Sequence, residues 1–245
     1  MRLLVQRRHV KPLVVLRRAV LVLLAIVLAG LVAGAVYLIS LRSVSDAQAR
    51  TRRIMVANRE TPGILPAPHR LVASVIAVED EHFYDNVVIN VLTGAGRAAL
   101  ATLQTSQDPG GSTIDQQLAK QLYGHGHGGL GSTLREIGLG VKLALRYSKQ
   151  QILQMYLNVV YYGNGYWGVT QAAEGYFHTR PAQLTWPEAA MLAGLLQAPS
   201  AYDPLQHYAL ARQRQRHVLT QLVVNHYLTR AQANAALRSP LPLAH

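Results

Sequence analysis

The sequence predicts a mostly α-helical protein in which one transmembrane helix precedes a single helical domain. Three observations support this prediction. Residues 19–40 contain no charged side chain. Beyond residue 70, apolar residues recur at the three- and four-residue spacing that is typical of helices. No segment in that region alternates polar and apolar residues as a half-buried strand would.

The predicted transmembrane helix is the run AVLVLLAIVLAGLVAGAVYLIS, residues 19–40. A helix of this length covers roughly 33 Å, which is enough to cross the hydrocarbon core of a bilayer. The charged residues before it are all basic, and the first acidic residue is Asp46. The positive-inside rule therefore predicts a cytoplasmic N-terminus and an external domain. A cleaved signal peptide is the alternative, but the run is too long and lacks a clear cleavage site.

Half of the net charge of +12 lies in residues 1–18, which hold six basic residues and no acidic one. The part after residue 40 holds 18 basic and 12 acidic residues, a moderate excess of +6. This excess suits a domain that rests on anionic lipid or handles an anionic substrate. We expect no nucleic-acid partner outside the cytoplasm. The chain has no cysteine, which excludes disulfides and thiol chemistry.

Four regions follow from these patterns. We expect a basic cytoplasmic tail (1–18), the transmembrane helix (19–40), a juxtamembrane linker rich in arginine and proline (41–70) and a helical domain (71–245).

The helical domain contains six predicted helical segments and no evident internal repeat. Ser-Lys-Gln-Gln at 148–151 matches a capping box, and Thr185-Trp186-Pro187-Glu188 has a capping threonine followed by a proline in the first turn. Thr229 is a further candidate cap. The predicted helices are Leu71–Tyr84, Thr113–Tyr123, the pair Glu136–Tyr147 and Lys149–Asn158, one that begins near Thr185, and the region from Tyr208 onward.

Glu79 is the first candidate for chemistry, because it follows Val75 and Ile76 by four and three residues on the apolar face of its predicted helix. A carboxylate on such a face is desolvated and suited to proton transfer. By itself this position more often indicates a carboxylate that caps a helix or pairs with an arginine.

The segment GGSTIDQQLAKQLY, residues 110–123, carries a polar stripe of Thr113, Gln116, Gln117 and Lys120 beside an apolar one. Amides that end in a lysine suit sugar hydroxyls and phosphate, and a glycine-rich helix N-terminus favours an anion. An ordinary solvated helix face is the alternative.

Arg135 and Glu136 are predicted to open a helix that contains Gly138 and Gly140. Glycine inside a helix costs about 1 kcal/mol relative to alanine, so two glycines indicate close packing or a ligand that crosses the backbone. Glu136 offers a second carboxylate, and Arg135 a guanidinium for phosphate oxygens. A simple charge pair at a helix start is the alternative.

The order of these motifs resembles glycosyltransferase family 51, the peptidoglycan glycosyltransferases of class A penicillin-binding proteins and of monofunctional biosynthetic transglycosylases. The resemblance runs from about Val72 to Pro204. It rests on EDEHFYDN (79–86), GGSTIDQQLAKQ (110–121), SKQQILQMYLN (148–158), GNGYWGVTQAAEGYF (163–177) and LTWPEAAMLAGLLQAPSAYDP (184–204).

The resemblance implies a lysozyme-like helical fold with a small jaw region that dips into the membrane, here about Val87 to Ser106. It implies polymerisation of lipid II, in which the lipid-linked glycan chain is transferred with inversion to the 4-hydroxyl of lipid II and undecaprenyl pyrophosphate is released. The expected location is the bacterial inner (cytoplasmic) membrane, with the catalytic domain on the periplasmic side. Expected partners are the membrane, lipid II, lipid-linked glycan, and transpeptidases or other wall-synthesis proteins.

The resemblance also implies roles for individual residues. Glu79 matches the general base, and Glu136 matches the second glutamate, which assists the departing pyrophosphate with or without a divalent metal such as Mg²⁺ or Mn²⁺. No other cofactor is implied. The substrate contacts that the resemblance implies are Asp80, Ser112, Thr113, Gln116, Gln117, Lys120, Arg135 and Asn158.

The sequence departs from the family pattern at several positions. Asn86 and Val88 stand where histidine and glycine are expected, and Ser132-Thr133 replaces a basic pair before the second glutamate. Gln121 replaces an asparagine and Gln154 a glutamate. These departures raise a catalytically degenerate membrane scaffold as the main alternative to an active enzyme. A lysozyme-like hydrolase is less favoured, since it has no need for the GGST-I-x-QQ motif.

Overall fold

The computed structural model describes residues 12–61, 67–85, 112–124 and 129–243. The described residues are mostly helical, which confirms the predicted fold class, and their only extended pairing is an isolated bridge between Tyr161 and Trp167. The chain divides into two compact units, Met1–Arg42 and Ser43–His245. The predicted jaw region and the departures at Asn86 and Val88 lie outside the described residues.

The first unit contains helix α1, Pro12–Ser40. Within it, Leu16–Ser40 is long and apolar enough to cross a membrane. Its large apolar side chains are exposed, for example Leu31 at 67 % and Ile39 at 81 %. A helix whose apolar side chains are exposed on all sides fits a lipid environment. The helix predicted from residue 19 is confirmed and begins earlier, at Pro12.

The described helices of the second unit are α2 (Ala47–Ala57), α3 (His69–Glu79), α4 (Ile114–Tyr123), α5 (Leu130–Arg146), α6 (Lys149–Val159), α7 (Val169–Phe177), α8 (Trp186–Leu195), α9 (Tyr208–Val224) and α10 (Arg230–Arg238). They pack around one apolar core. Helices α3, α8 and α9 form one packed group, and α4 packs on α5 and α6. A short 3₁₀ turn, Pro181–Gln183, precedes α8.

Four of the predicted helix starts are confirmed by their capping geometry. Ser148, Thr185 and Thr229 each cap a helix, and each forms a capping box with the residue three positions later. Thr113 caps α4 in the same way, with the backbone N–H of Gln116 donating to its hydroxyl. Thr113 therefore serves the helix start and is itself buried, at 4 % exposure.

Two predicted helix boundaries were wrong. The helix predicted over Leu71–Tyr84 is α3, which ends at Glu79, because Asp80 leaves the helical conformation with φ −161°. Its carboxylate Oδ2 accepts a hydrogen bond, 3.1 Å long, from the backbone N–H of Ile114 at the start of α4. This long-range cap ties the end of α3 to the start of α4, a contact that helical spacing does not reveal.

The second wrong boundary is the start of α5, which lies at Leu130 and not at Glu136. Gly129 precedes the helix at φ 144°. The hydroxyls of Ser132 and Thr133 both donate to the carbonyl oxygen of Gly129, at 2.7 and 3.2 Å. Short hydroxyl side chains that bond to nearby backbone are typical of a first helical turn, so Arg135 and Glu136 fall inside the helix.

Gly140 lets α5 approach α4 closely. A Cβ atom at this position would lie 3.1 Å from the backbone nitrogen of Gln116, which is tighter than side-chain packing normally permits. The structure therefore supports close helix packing as the reason for glycine at this position of α5.

Glu60 links the segment after α2 to the start of α7. Its carboxylate accepts hydrogen bonds from the backbone N–H groups of Thr170 (3.1 Å) and Gln171 (3.2 Å). These N–H groups belong to the first turn of α7, where they lack partners within the helix. Burial raises the pKa of the Glu60 carboxyl group above its ordinary value.

We expect Glu60→Ala to lower the free energy of unfolding by about 1–3 kcal/mol, because two helix N–H groups would lose their acceptor. Thermal unfolding followed by circular dichroism in detergent measures this loss. The matched control is Glu174→Ala, which removes an exposed glutamate from α7, the helix that Glu60 caps. Equal melting temperatures for the two variants would contradict the capping role.

Candidate active site

A cleft of about 620 Å³ opens in the second unit where α3 ends. The C-terminal end of α3, helices α4, α5 and α9, and the segment after α8 contribute its walls. The polar side chains that line it are Glu79, Asp80, Glu81, Ser112, Gln116, Gln117, Lys120, Gln121, Glu136, Gln197, Arg214, His217 and Gln221.

Glu79 is the last residue of α3, and its side chain is 12 % exposed. The amide Nε2 of Gln117 donates to its Oε2 at 2.9 Å. The hydroxyl of Tyr156 in turn donates to Gln117 Oε1 at 2.6 Å. Burial raises the pKa of Tyr156 well above its ordinary value, so this phenol stays a protonated donor. Tyr156 thereby fixes the Gln117 amide with its NH₂ group toward Glu79.

Arg214 approaches Glu79 from α9. Its Nη2 lies 3.9 Å from Glu79 Oε1, and the two side chains are 13 % and 12 % exposed. The stem of Arg214 crosses α8 at Gly194, where a Cβ atom would lie 3.0 Å from Arg214 Cγ. Arg214 Nε is buried and has no hydrogen-bond partner among the described residues. The guanidinium therefore lies within ion-pair distance of Glu79 at the wall of the cleft.

The polar stripe predicted on α4 faces the cleft in large part. Gln116, Gln117 and Lys120 line it, together with Ser112 before the helix. Lys120 is exposed, so its ammonium group is accessible to a ligand in the cleft. The fourth member of the predicted stripe, Thr113, is the buried cap of α4 and does not line the cleft.

The other predicted site residues divide between the cleft and other locations. Glu136 lines the cleft from α5, and Asp80 lines it while accepting the hydrogen bond from Ile114. Arg135 is exposed and is not part of the lining. Asn158 is 2 % exposed and donates to the carbonyl oxygen of Gln154 at 2.6 Å, away from the lining. The substrate contacts assigned to Arg135 and Asn158 stay predictions.

Sequence reasoning missed the contribution of α9. Arg214, His217 and Gln221 line the cleft, and they follow one another at i, i+3 and i+7. This is the spacing that identified the stripe on α4, so the same test would have found them. Partial burial, followed by the charge of Arg214, lowers the pKa of His217, which favours the neutral imidazole.

The cleft carboxylates do not form a complete metal site on their own. Glu79 and Glu136 offer oxygen ligands of the kind that Mg²⁺ prefers. Within residues 12–61, 67–85, 112–124 and 129–243, however, no three His, Asp or Glu side chains are grouped closely enough to hold a metal ion.

Comparison with known proteins identifies a shared domain. The family model described as transglycosylase matches residues 46–223. A protein of Cupriavidus necator that carries the name transglycosylase is 35 % identical over 226 residues, which are 91 % of this chain and 95 % of that relative.

Two penicillin-binding proteins match part of their length. Penicillin-binding protein 2a of Streptococcus pneumoniae is 40 % identical over 66 % of this chain and 22 % of its own. Penicillin-binding protein 1A of Vibrio cholerae is 36 % identical over 73 % of this chain and 22 % of its own. This chain thus spans about a fifth of these longer relatives.

Among solved structures, penicillin-binding protein 1A from Haemophilus influenzae matches with a TM-score of 0.38 and 35 % identity, over 40 % of this chain and 15 % of that one. The family assignment rests on the sequence matches. The family match over residues 46–223 covers the end of α3, the capped start of α4 and most of α9, which all line the cleft. The chain belongs to the transglycosylase family, the peptidoglycan glycosyltransferases whose domain class A penicillin-binding proteins also contain.

Proposed function

We propose that this chain polymerises glycan strands from lipid II, with Glu79 as the general base. The observation that carries the proposal is the setting of Glu79 in the cleft. Its two carboxylate oxygens lie against Gln117 and Arg214, so the side chain is oriented by residues from two helices. A base held in this way can remove the proton from a sugar hydroxyl as that hydroxyl attacks.

The acceptor in this reaction is the 4-hydroxyl of an incoming lipid II molecule. Glu79 takes the hydroxyl proton while the oxygen attacks the anomeric carbon of the lipid-linked glycan, and the bond from that carbon to the pyrophosphate breaks. The new bond forms on the face opposite the leaving group, so an α-linked donor gives a β-1,4 product. The released group is undecaprenyl pyrophosphate.

Three cleft residues suit the pyrophosphate side of the reaction. Lys120 offers an exposed ammonium group, and Arg214 brings a second positive charge to the cleft wall. Glu136 lines the same cleft, and we assign it to positioning the leaving group or its cationic partner. Arg214 matters here because the family's basic pair is replaced by Ser132-Thr133, whose hydroxyls bond to the backbone.

The apolar helix α1 suits the anchoring of this enzyme in the membrane that holds its lipid-linked substrate. We propose the bacterial inner membrane, with the N-terminus in the cytoplasm and the cleft on the periplasmic side, because the charged residues before the apolar run are basic. Transpeptidases are the proposed downstream partners, since strands must be cross-linked after they are polymerised.

A degenerate scaffold is the second candidate, and the loss of the basic pair at Ser132-Thr133 is the observation that favours it. Purified full-length protein in detergent, incubated with labelled lipid II and analysed on a gel, separates the two functions. The enzyme should yield polymer that a muramidase specific for β-1,4 links digests. Folded protein that yields no polymer over a range of detergents and divalent metals would favour the scaffold.

Lys120→Met is expected to weaken use of the donor by roughly tenfold, because a charge-assisted contact with the pyrophosphate is worth about 1–2 kcal/mol at an exposed position. The measurement is KM for lipid II, with kcat less affected. Arg230→Met, which removes an exposed charge from α10, is the control. Normal KM and normal processivity in Lys120→Met would contradict the assignment.

Glu136→Gln keeps the size of the side chain and removes its charge. If Glu136 assists the leaving group, kcat should fall by at least roughly tenfold, the scale of a positioned polar group in catalysis. Initial rates of strand formation report the change. A rate equal to that of the unmodified protein would show that the second carboxylate has been assigned wrongly.

A further inference from the structure

Lys149 occupies an electrostatically unfavourable position at the start of α6. It is the first residue of that helix, directly after the Ser148 cap. The N-terminal end of a helix carries partial positive charge, which disfavours a cation. The Lys149 side chain is only 20 % exposed, so solvent screens this repulsion incompletely. A contact with another element is therefore needed to account for a lysine at this position.

The acidic partner of Lys149 is Asp115 on α4. Lys149 Nζ lies 2.9 Å from Asp115 Oδ2, and the Asp115 side chain is 7 % exposed. Burial raises the pKa of the Asp115 carboxyl group, and the charge of Lys149 opposes that rise. Asp115 also lies in the first turn of α4, where the helix dipole favours an anion. This pair thus joins the start of α6 to the start of α4.

Lys149 also contacts the turn that follows Glu79. Its Nζ lies over the ring of Phe83, 4.2 Å from the ring centre, which is a cation–π contact. The Phe83 side chain is fully buried. The backbone N–H of Phe83 donates to the carbonyl oxygen of Asp80 at 3.0 Å, and this bond closes the turn at the end of α3. Lys149 therefore holds the ring that anchors this turn.

A second contact joins the same turn to α4. Asp80 Oδ2 accepts a hydrogen bond from the backbone N–H of Ile114, the residue before Asp115. Helix α4 also carries Gln117, whose amide donates to Glu79 at 2.9 Å. A shift of the turn relative to α4 would therefore change the hydrogen bond that orients Glu79.

We propose that Lys149 and Asp115 are positioning residues for Glu79. Neither of them lines the cleft, so they act through the turn and through α4. Their contacts keep the end of α3 in register with Gln117. The role rests on the proposed function, in which Glu79 removes a proton from a sugar hydroxyl. Proton transfer by a general base depends strongly on its position, so a small displacement of Glu79 slows the reaction.

Three variants of the full-length protein test the pair. Lys149→Met removes the ammonium group and keeps an apolar stem beside Phe83, whereas Lys149→Arg keeps the charge and can make both contacts. Asp115→Asn keeps the shape of its side chain and removes the charge. Gln150→Met, at an exposed position of α6, is the matched control. Initial rates of strand formation from lipid II are measured in detergent, below the melting temperature of each variant.

Lys149→Met should lower kcat by roughly 10–100-fold with KM for lipid II unchanged, because the base is displaced and the binding groups are kept. Lys149→Arg and Gln150→Met should keep the rate of the unmodified protein. Asp115→Asn should also lower kcat, and combining it with Lys149→Met should add little, since the two residues act together. A normal kcat in folded Lys149→Met, or an equal loss in Lys149→Arg, would overturn the proposal. If Lys149→Met does not fold, a normal kcat in Asp115→Asn would overturn it.

Hydrogen exchange separates this proposal from the proposed function, because it needs no substrate. The backbone N–H of Ile114 donates to Asp80, so its exchange reports the contact between the turn and α4. Mass spectrometry of peptides that contain residues 80–85 and 114–117 should show faster exchange in Lys149→Met than in Gln150→Met. Equal exchange would contradict the positioning role even if polymer forms. Absence of polymer from the unmodified protein would instead reject the proposed function, and the exchange would still show whether the pair holds the turn.

Discussion

Glu79→Gln should lower the rate of strand formation by about 10²–10⁴-fold, the usual contribution of a positioned general base. The substituted side chain keeps its length and can still bond to Gln117, which donates to Glu79 Oε2 in the native cleft. Substrate binding should therefore change little, and the loss should appear in kcat. Initial rates with labelled lipid II, together with a binding measurement on the same variant, separate the two effects.

The control for this substitution is Glu174→Gln, which removes an exposed carboxylate of α7 that does not line the cleft. Its rate should match that of the unmodified protein. Substantial activity in Glu79→Gln would show that Glu79 is not the general base. The candidates would then be the other cleft carboxylates.

Arg214→Met should reduce kcat/KM by roughly 10–150-fold, since a hydrogen bond to a charged group contributes about 1.5–3 kcal/mol and tenfold corresponds to about 1.4 kcal/mol. Two causes combine in this loss. Glu79 Oε1 would lose the guanidinium 3.9 Å away, and the cleft would lose a basic residue that lines it. The larger effect relative to Lys120 follows from burial, because Arg214 is only 13 % exposed.

Arg216→Met provides the comparison, because Arg216 is an exposed arginine on the same helix. Its kinetics and its thermal stability should be unchanged. If Arg214→Met kept full activity while its melting temperature fell, Arg214 would be a packing residue and the basic side of the cleft would rest on Lys120 alone.

The sequence predicted the fold class and most of the helix starts because those features are local. A charge-free run, a capping residue and helical spacing are each read from neighbouring residues, as at Ser148 and Thr229. The end of α3 was predicted wrongly because its cause is not local. Asp80 leaves the helix to accept a hydrogen bond from Ile114, 34 positions along the chain.

The same distinction applies to the cleft. The helix pattern and the family resemblance predicted site roles for Glu79 and for the stripe of Gln116, Gln117 and Lys120, because all of these lie within short motifs. The spacing of Arg214, His217 and Gln221 could have indicated a polar stripe on α9, but the position of Arg214 beside Glu79 follows only from the packing of α9 against α3. Glu79 thus satisfies both interpretations of its position, because it pairs with an arginine and lines a cleft suited to sugar chemistry.

Arg214 also bears on the replacement of the family's basic pair by Ser132-Thr133. The sequence alone suggested a pyrophosphate site weakened by the loss of a basic pair. In the structure, Ser132 and Thr133 lie in the first turn of α5, while Arg214 brings a positive charge to the cleft from another helix. An active enzyme therefore does not depend on restoring the lost pair.

Transfer of a glycan chain to the 4-hydroxyl of lipid II is tested most directly by comparing strand formation on lipid II with that on lipid II whose 4-hydroxyl is blocked as a methyl ether. We expect polymer from lipid II and none when the blocked substrate is supplied alone, since that substrate can act only as a donor. Equal release of undecaprenyl pyrophosphate from both substrates without polymer would indicate a hydrolase and contradict transfer to lipid II.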